Sequence, residues 1–160
     1  MSTAFVYKIL AWLGDSALGH FMQDYSLPSS LAIVLHLLGL ILLGGSSLIT
    51  GLAALGWVVR QPPAADVARE LWPFFQAGLA LTFVTGVALV AAKGVFYYDH
   101  GVFWLKLGLL VPAIAVSLLL HRHLQRAAAG PIVRSWRVVT AINLLLWTGV
   151  TVAGRGIGLY

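Results

Sequence analysis

Four long apolar segments, separated by short polar ones, organise this sequence. Each is long enough to cross a bilayer, since a transmembrane helix needs roughly 20 consecutive apolar residues. We predict transmembrane helices over residues 30–59, 72–92, 102–120 and 138–153. The first segment is the longest, and His36 is its one titratable side chain.

Residues 1–28 precede the first apolar segment and show a different pattern. In 3–14 and again in 16–25, aromatic and aliphatic residues recur at helical spacing between polar ones. This pattern is typical of short amphipathic helices that lie in the membrane interface. The chain is thus predicted to be one membrane domain, 1–160, consisting of interfacial helices followed by four spans.

Composition supports this interpretation. Hydrophobic residues make up 60% of the chain and charged residues 9%, whereas a soluble domain is about 25% charged. The predicted fold class is therefore all-α, an integral membrane four-helix bundle with short amphipathic interfacial helices at the N-terminus. The net charge of +5 comes from basic residues that flank apolar segments, so we expect a lipid bilayer as partner and no nucleic acid. The absence of cysteine excludes disulfides, iron–sulfur clusters and thiolate metal sites.

The basic residues also predict the orientation. One side of the predicted bundle carries six of them: Arg60, Arg69, Arg122, Arg126, Arg134 and Arg137. The other side carries four: Lys8, Lys93, Lys106 and Arg155. Positive charge accumulates on the cytoplasmic side of membrane proteins, so both termini are predicted to face the exterior or periplasm.

His36 is the first candidate for chemistry, because an ionisable residue inside a membrane is costly and commonly functional. It heads a helical stripe of mostly small or weakly polar residues: Gly39, Leu43, Ser47, Thr50 and Ala54. Stripes of this kind let membrane helices pack closely, and a binding cavity is the alternative. An interhelical hydrogen bond from His36 to a Ser, Thr or backbone carbonyl would also explain the residue.

Depth separates the histidines into two groups. His36 lies about 12 Å outward of Gly44, and His121 lies about 25 Å away along the membrane normal, at a rise of 1.5 Å per residue. His121 and His123 are therefore interpreted as contacts to lipid headgroups on the inner side. The residues expected to join His36 on the outer side are His20, His100, Lys106 and Arg155.

This outer group permits three kinds of site. A haem b would take His36 with His20 or His100 as its ligands. A copper ion would take the same three histidines, with Met22 nearby. Alternatively, His36 would bind an anionic or quinone headgroup together with Lys106 and Arg155. No nucleophile with a base and no paired intramembrane carboxylates are present, so at most an electron-transfer role is expected rather than independent catalysis.

Several stretches carry a family resemblance. They are LGLILLGG after His36, TGVAL over 85–89, FWLKLGLL over 103–110 and LWTGVTVAGRGIGLY over 146–160. With them the chain resembles an uncharacterised family of small four-helix bacterial membrane proteins, which implies the bacterial inner membrane. More distantly it resembles the copper-resistance D membrane domain and four-helix b-type cytochromes, whose intramembrane histidines bind copper or haem. His36 is the histidine that matches theirs, and the second transmembrane ligand of those cytochromes has no counterpart here.

These observations favour a small membrane redox subunit that binds haem b or quinone near the outer face and works with a larger protein partner. A copper-handling, permease-like protein is the first alternative, and a structural subunit of a membrane complex is the second. The long first helix could contact either a different protein partner or a second copy of this chain in a homo-oligomer.

Overall fold

The computed structural model describes residues 3–58, 63–126 and 133–157 and, within them, the side chains other than those of residues 3, 4, 155 and 157. In these ranges the secondary structure consists of six helices and contains no strand. The helices are α1 (Thr3–Gly14), α2 (Ala17–Asp24), α3 (Ser26–Leu55), α4 (Ala64–Tyr98), α5 (Gly101–Arg126) and α6 (Arg134–Ile157). The predicted all-α class is confirmed. Arg60, one of the six basic residues used to predict the orientation, lies outside the described residues.

Helices α3 to α6 are each long and apolar enough to cross a membrane, so the chain is a multi-pass membrane protein surrounded by lipid. Most of these helices extend past the predicted spans. Helix α4 begins at Ala64, in the polar segment before the predicted second span, 72–92. It continues to Tyr98, in the polar segment after that span. Helix α5 likewise continues to Arg126. Hydropathy identifies only the part of a helix that contacts lipid. The polar turns at the helix ends form the same backbone hydrogen bonds, so the helix extends past its apolar part.

Helices α3 and α4 are in close contact at two glycines. A Cβ on Gly78 would lie 2.5 Å from the backbone nitrogen of Leu43 and 2.8 Å from the carbonyl oxygen of Gly39. A Cβ on Gly39 would lie 2.6 Å from Oγ1 of Thr82. The two backbones are therefore in direct contact, which small residues permit in membrane helices. The stripe of small residues that begins at His36 was predicted to pack against other helices, and this is confirmed for Gly39, which is buried.

Helices α5 and α6 join α3 through a buried polar network. The hydroxyl of Ser117 donates to Oδ1 of Asn143 at 2.7 Å, and it accepts from Nε1 of Trp147 at 2.9 Å. Oγ of Ser47 lies 2.9 Å from the same hydroxyl. Leu43, Phe75, Ala113, Trp147 and Val150 form the apolar core beside this network. The centre of the bundle is thus held by hydrogen bonds as well as by packing.

The N-terminal helices pack against the end of α4. Lys93 has non-helical dihedral angles, with φ −141° and ψ 28°, and bends α4 there. Beyond this kink, Leu10 of α1 packs on Gly94, and the ring of Tyr7 contacts that of Tyr98 at 5.5 Å between centroids. We call this the α1–α2 end of the bundle, and the end that carries Ala64 and Arg126 the opposite end.

Candidate functional site

His36 occupies the half of the bundle that belongs to the α1–α2 end. It lies ten residues after Ser26, the first residue of α3, which corresponds to about 15 Å along the axis. Its ring is half-buried between α4 and α5. Nδ1 lies 3.0 Å from Oγ1 of Thr85, and Nε2 lies 3.4 Å from Nζ of Lys106. Both ring nitrogens therefore face hydrogen-bonding groups of neighbouring helices.

The hydrogen-bond network assigns the protons of this site. The hydroxyl of Thr85 donates to the carbonyl oxygen of Leu81, one turn earlier, at 2.6 Å. It is therefore left as an acceptor for His36, whose Nδ1 donates to it. A neutral imidazole with its proton on Nδ1 presents a lone pair at Nε2, and the ammonium of Lys106 donates to that lone pair. A continuous series of hydrogen bonds thus runs from Lys106 of α5 through His36 of α3 to Thr85 of α4.

Two glycines leave room for these side chains. A Cβ on Gly86 would lie 3.4 Å from Cε1 of His36, at the short limit of ordinary van der Waals contact. A Cβ on Gly154 would lie 3.8 Å from Cε of Lys106. The histidine and lysine thus pack against the bare backbones of α4 and α6.

Among the described residues, the ammonium of Lys106 has no acidic partner. In the described chain the ion pair closer than 4 Å is that of Arg69 with Asp66, so Lys106 is not paired with a described carboxylate. Lys106 instead bonds to His36 from a half-buried position. It lies five residues after Gly101, where α5 begins, or about 7.5 Å along the helix. A cation held at this depth without a carboxylate favours binding of an electron-rich ligand group.

The other residues predicted for the site are placed differently. His20 is exposed on α2. His100 precedes α5, where its Nδ1 donates to the carbonyl oxygen of Phe96 at 2.7 Å. Arg155 lies in α6, but its side chain falls outside the described part. Among the described residues, no three or more His, Asp or Glu side chains are grouped so that they could hold a metal ion.

His121 does not contact headgroups as interpreted from the sequence. Its side chain is 1% exposed, and its ring packs against Trp72 and Phe75 at centroid distances of 5.1 and 5.4 Å. Because α5 remains helical past the predicted end of its span at Leu120, His121 lies within the helix and its ring faces these two aromatic residues of α4. His123 stacks on Trp136 with centroids 3.7 Å apart.

Sequence reasoning missed Thr85 as the specific partner of His36, although it allowed a hydrogen bond from His36 to a Ser or Thr of another helix. A signal was present in the segments that carry the family resemblance. The first of these follows His36, the second begins at Thr85, the third contains Lys106 and the fourth contains Gly154. The segments of α4 and α5 thus contact His36, and the segment of α6 contacts Lys106.

The fold and site define a multi-pass α-helical membrane protein with a hydrogen-bonded histidine–lysine pair inside its bundle. The chain belongs to a family of unknown function, DUF6644, whose model matches residues 9–160. No curated protein and no solved structure matches it.

Proposed function

We propose that this protein is a small membrane redox subunit that binds a quinone headgroup beside His36 and Lys106. The observation that supports this function is the 3.4 Å contact between Nε2 of His36 and Nζ of Lys106, in a place where the ammonium has no carboxylate among its described neighbours. A larger protein partner would deliver or accept the electrons.

The chemistry of the pair suits a quinone carbonyl. An ammonium has three N–H donors, and one of them is directed to His36. The remaining donors are available to a ligand oxygen. A positive charge also favours the anionic forms that a quinone passes through when it is reduced, because charges attract strongly where water is scarce. Leu35 and Leu105, beside the two polar residues in sequence, are exposed, so an isoprenoid tail would remain in lipid.

Haem and copper fit this site less well. A histidine ligand needs an unshared lone pair on one ring nitrogen. Here Nδ1 donates to Thr85, and Nε2 faces the ammonium of Lys106, whose charge would oppose a metal cation. We therefore prefer a quinone to haem b as the ligand, and a redox subunit to a copper-handling protein. A purely structural subunit is the remaining alternative.

We further propose that the protein lies in a bacterial inner membrane with both termini in the periplasm. The opposite end of the bundle carries Arg69, Arg122, Arg126, Arg134 and Arg137, which supports its assignment to the cytoplasm. The histidine–lysine pair would then be nearer to the periplasmic face. A partner protein or a second copy would bind to the exposed apolar surface of the spans.

Quinone binding can be measured on purified protein in nanodiscs. Titration with a short-tail ubiquinone, followed by quenching of tryptophan fluorescence, would give a dissociation constant. We expect Lys106→Met and His36→Leu each to weaken binding by about tenfold, the effect of one lost hydrogen bond to a charged group. Lys8→Met is the matched control, since Lys8 is exposed on α1, and it should leave the affinity unchanged.

Four results would overturn this function. Equal affinity of the unmodified protein and Lys106→Met would remove the pair from the binding site. A Soret band in the purified protein that disappears in His36→Leu would establish haem ligation instead. Stoichiometric copper by elemental analysis would favour the copper-handling alternative, and the absence of all three ligands would favour the structural one.

A further inference from the structure

A separate cavity opens at the α1–α2 end and has a volume of about 400 Å³. It lies between α1, α2 and the kink of α4, and its lining includes Tyr7, Gly14, Asp15, Gln23, Lys93 and Val95. Lys93 follows Thr85 by eight residues, which places the cavity about 12 Å along α4 from the histidine–lysine pair. The volume is within the usual range of small-molecule sites, roughly 300–1,000 Å³.

Gln23 links two walls of this cavity, α1 and α4, by hydrogen bonds. Its Nε2 donates to the carbonyl oxygen of Gly14 at 3.2 Å and to that of Ala91 at 3.4 Å. The first carbonyl is at the end of α1, and the second immediately precedes the kink of α4. Because both contacts use the amide nitrogen, Oε1 of Gln23 remains an acceptor. The cavity is therefore held by side-chain hydrogen bonds and has acceptor capacity on its wall.

Two opposite charges share this lining. Asp15 and Lys93 are both exposed, and they are not paired with each other within 4 Å in the described chain. Each is thus free of the other for a ligand group of opposite charge. A cavity with a carboxylate, an ammonium and an amide oxygen is complementary to a zwitterion that carries N–H donors at one end and an anion at the other.

The aromatic residues around the cavity indicate where it lies relative to lipid. Tyr7 and Trp12 on α1 are 45% and 71% exposed. Tyrosine and tryptophan exposed at the ends of a membrane bundle are typical of the headgroup layer. A ligand at this depth is within reach of the polar parts of phospholipids.

We propose that this cavity binds a phosphoethanolamine group, as carried by phosphatidylethanolamine. Its primary ammonium donates to Asp15 and to Oε1 of Gln23, and its phosphate accepts from Lys93. Phosphatidylcholine has the same net charge, but its quaternary ammonium has no N–H to donate. The site therefore distinguishes the two lipids by hydrogen bonding and not by charge.

The test is native mass spectrometry of the full chain released from nanodiscs. These contain equal amounts of phosphatidylethanolamine and phosphatidylcholine with identical acyl chains. We expect the bound lipid to be enriched in phosphatidylethanolamine by about tenfold, as one or two charge-assisted hydrogen bonds would give. Asp15→Asn should bring the ratio close to one. Asp24→Asn, on the exposed surface of α2 and outside the cavity lining, should keep the enrichment.

Equal amounts of the two bound lipids in the unmodified protein would overturn the proposal. So would an enrichment that persists in Asp15→Asn, with helix content by circular dichroism confirming that the variant is folded. Soluble glycerophosphoethanolamine, added as a competitor, identifies the source of the group. Displacement of the lipid means that a free zwitterion also binds, and retention means that the acyl chains contribute; both agree with the proposed recognition.

Discussion

Nε2 of His36 and Nζ of Lys106 lie 3.4 Å apart, although the two residues are separated by 70 positions in the sequence. The contact joins α3 to α5, and the hydrogen bond of His36 to Thr85 joins the same ring to α4. One imidazole therefore links three membrane helices, and its tautomer is set by its two neighbours.

The first prediction concerns that tautomer. In protein labelled with nitrogen-15 at histidine, solid-state NMR should show His36 protonated at Nδ1 and unprotonated at Nε2, because Lys106 donates to Nε2 and Thr85 accepts from Nδ1. Lys106→Met removes the donor, so the tautomer with a proton on Nε2 should become populated. Lys8→Met should leave the spectrum of His36 unchanged. A proton on Nε2 in the unmodified protein would contradict the assigned network.

The second prediction tests the contact of α3 with α4. Gly78→Ala places a methyl group 2.5 Å from the backbone nitrogen of Leu43, so the helices must separate. We expect the free energy of unfolding to fall by about 1–3 kcal/mol, the usual cost of overpacking, measured by titration with a denaturing detergent.

Gly45 provides the control for this substitution. It lies in α3, the helix that Gly78 of α4 contacts, and a Cβ there meets no described atom within 4 Å. Gly45→Ala should therefore be neutral or stabilise by up to about 1 kcal/mol through helix propensity. Equal effects of the two substitutions would show that the helices do not meet at Gly78.

The third prediction concerns the polar network in the bundle centre. Ser117→Ala removes the hydroxyl that accepts from Trp147 and donates to Asn143, and it leaves buried polar groups without partners. The free energy of unfolding should fall by about 1–3 kcal/mol. Thr148→Ala is the control, since its exposed hydroxyl bonds only to the carbonyl oxygen of Leu144 in its own helix. A smaller loss for Ser117→Ala than for Thr148→Ala would count against the network.

The fourth prediction tests orientation. The chain contains no cysteine, so single cysteines can be introduced without a background. Asp99→Cys, near the α1–α2 end, should react with a membrane-impermeant maleimide on intact spheroplasts. Asp66→Cys, in the first turn of α4, should react only after permeabilisation. The reverse labelling pattern would place both termini in the cytoplasm.

The number and class of the helices could be predicted because lipid contact requires long apolar runs, and hydropathy detects these directly. The ends of α4 and α5 could not be predicted, because polar turns outside the hydrocarbon layer remain helical without a hydropathy signal. The misplacement of His121 follows from this. A span that ends at Leu120 leaves His121 outside the helix, whereas α5 continues to Arg126 and buries the ring of His121 against α4.

The site was predictable in part for a related reason. His36 and Lys106 were identifiable as ionisable groups close to the same end of their helices. The choice of Thr85 as partner depends on how α3 and α4 are rotated about their contact at Gly39 and Gly78. Helix α4 carries more than one hydroxyl residue at helical spacing, and its rotation about this contact decides which hydroxyl meets His36.

The kink at Lys93 bears on how the protein is assembled. The carbonyl oxygen of Ala91 accepts from Gln23, a residue 68 positions earlier in the chain. During synthesis, α1 and α2 leave the ribosome first, yet the helix that anchors them is not yet made. We therefore expect the N-terminal segment to wait at the membrane surface and to dock after α4 has inserted and bent. Helices α1 and α2 would then reach their native positions after α4, which is translated later.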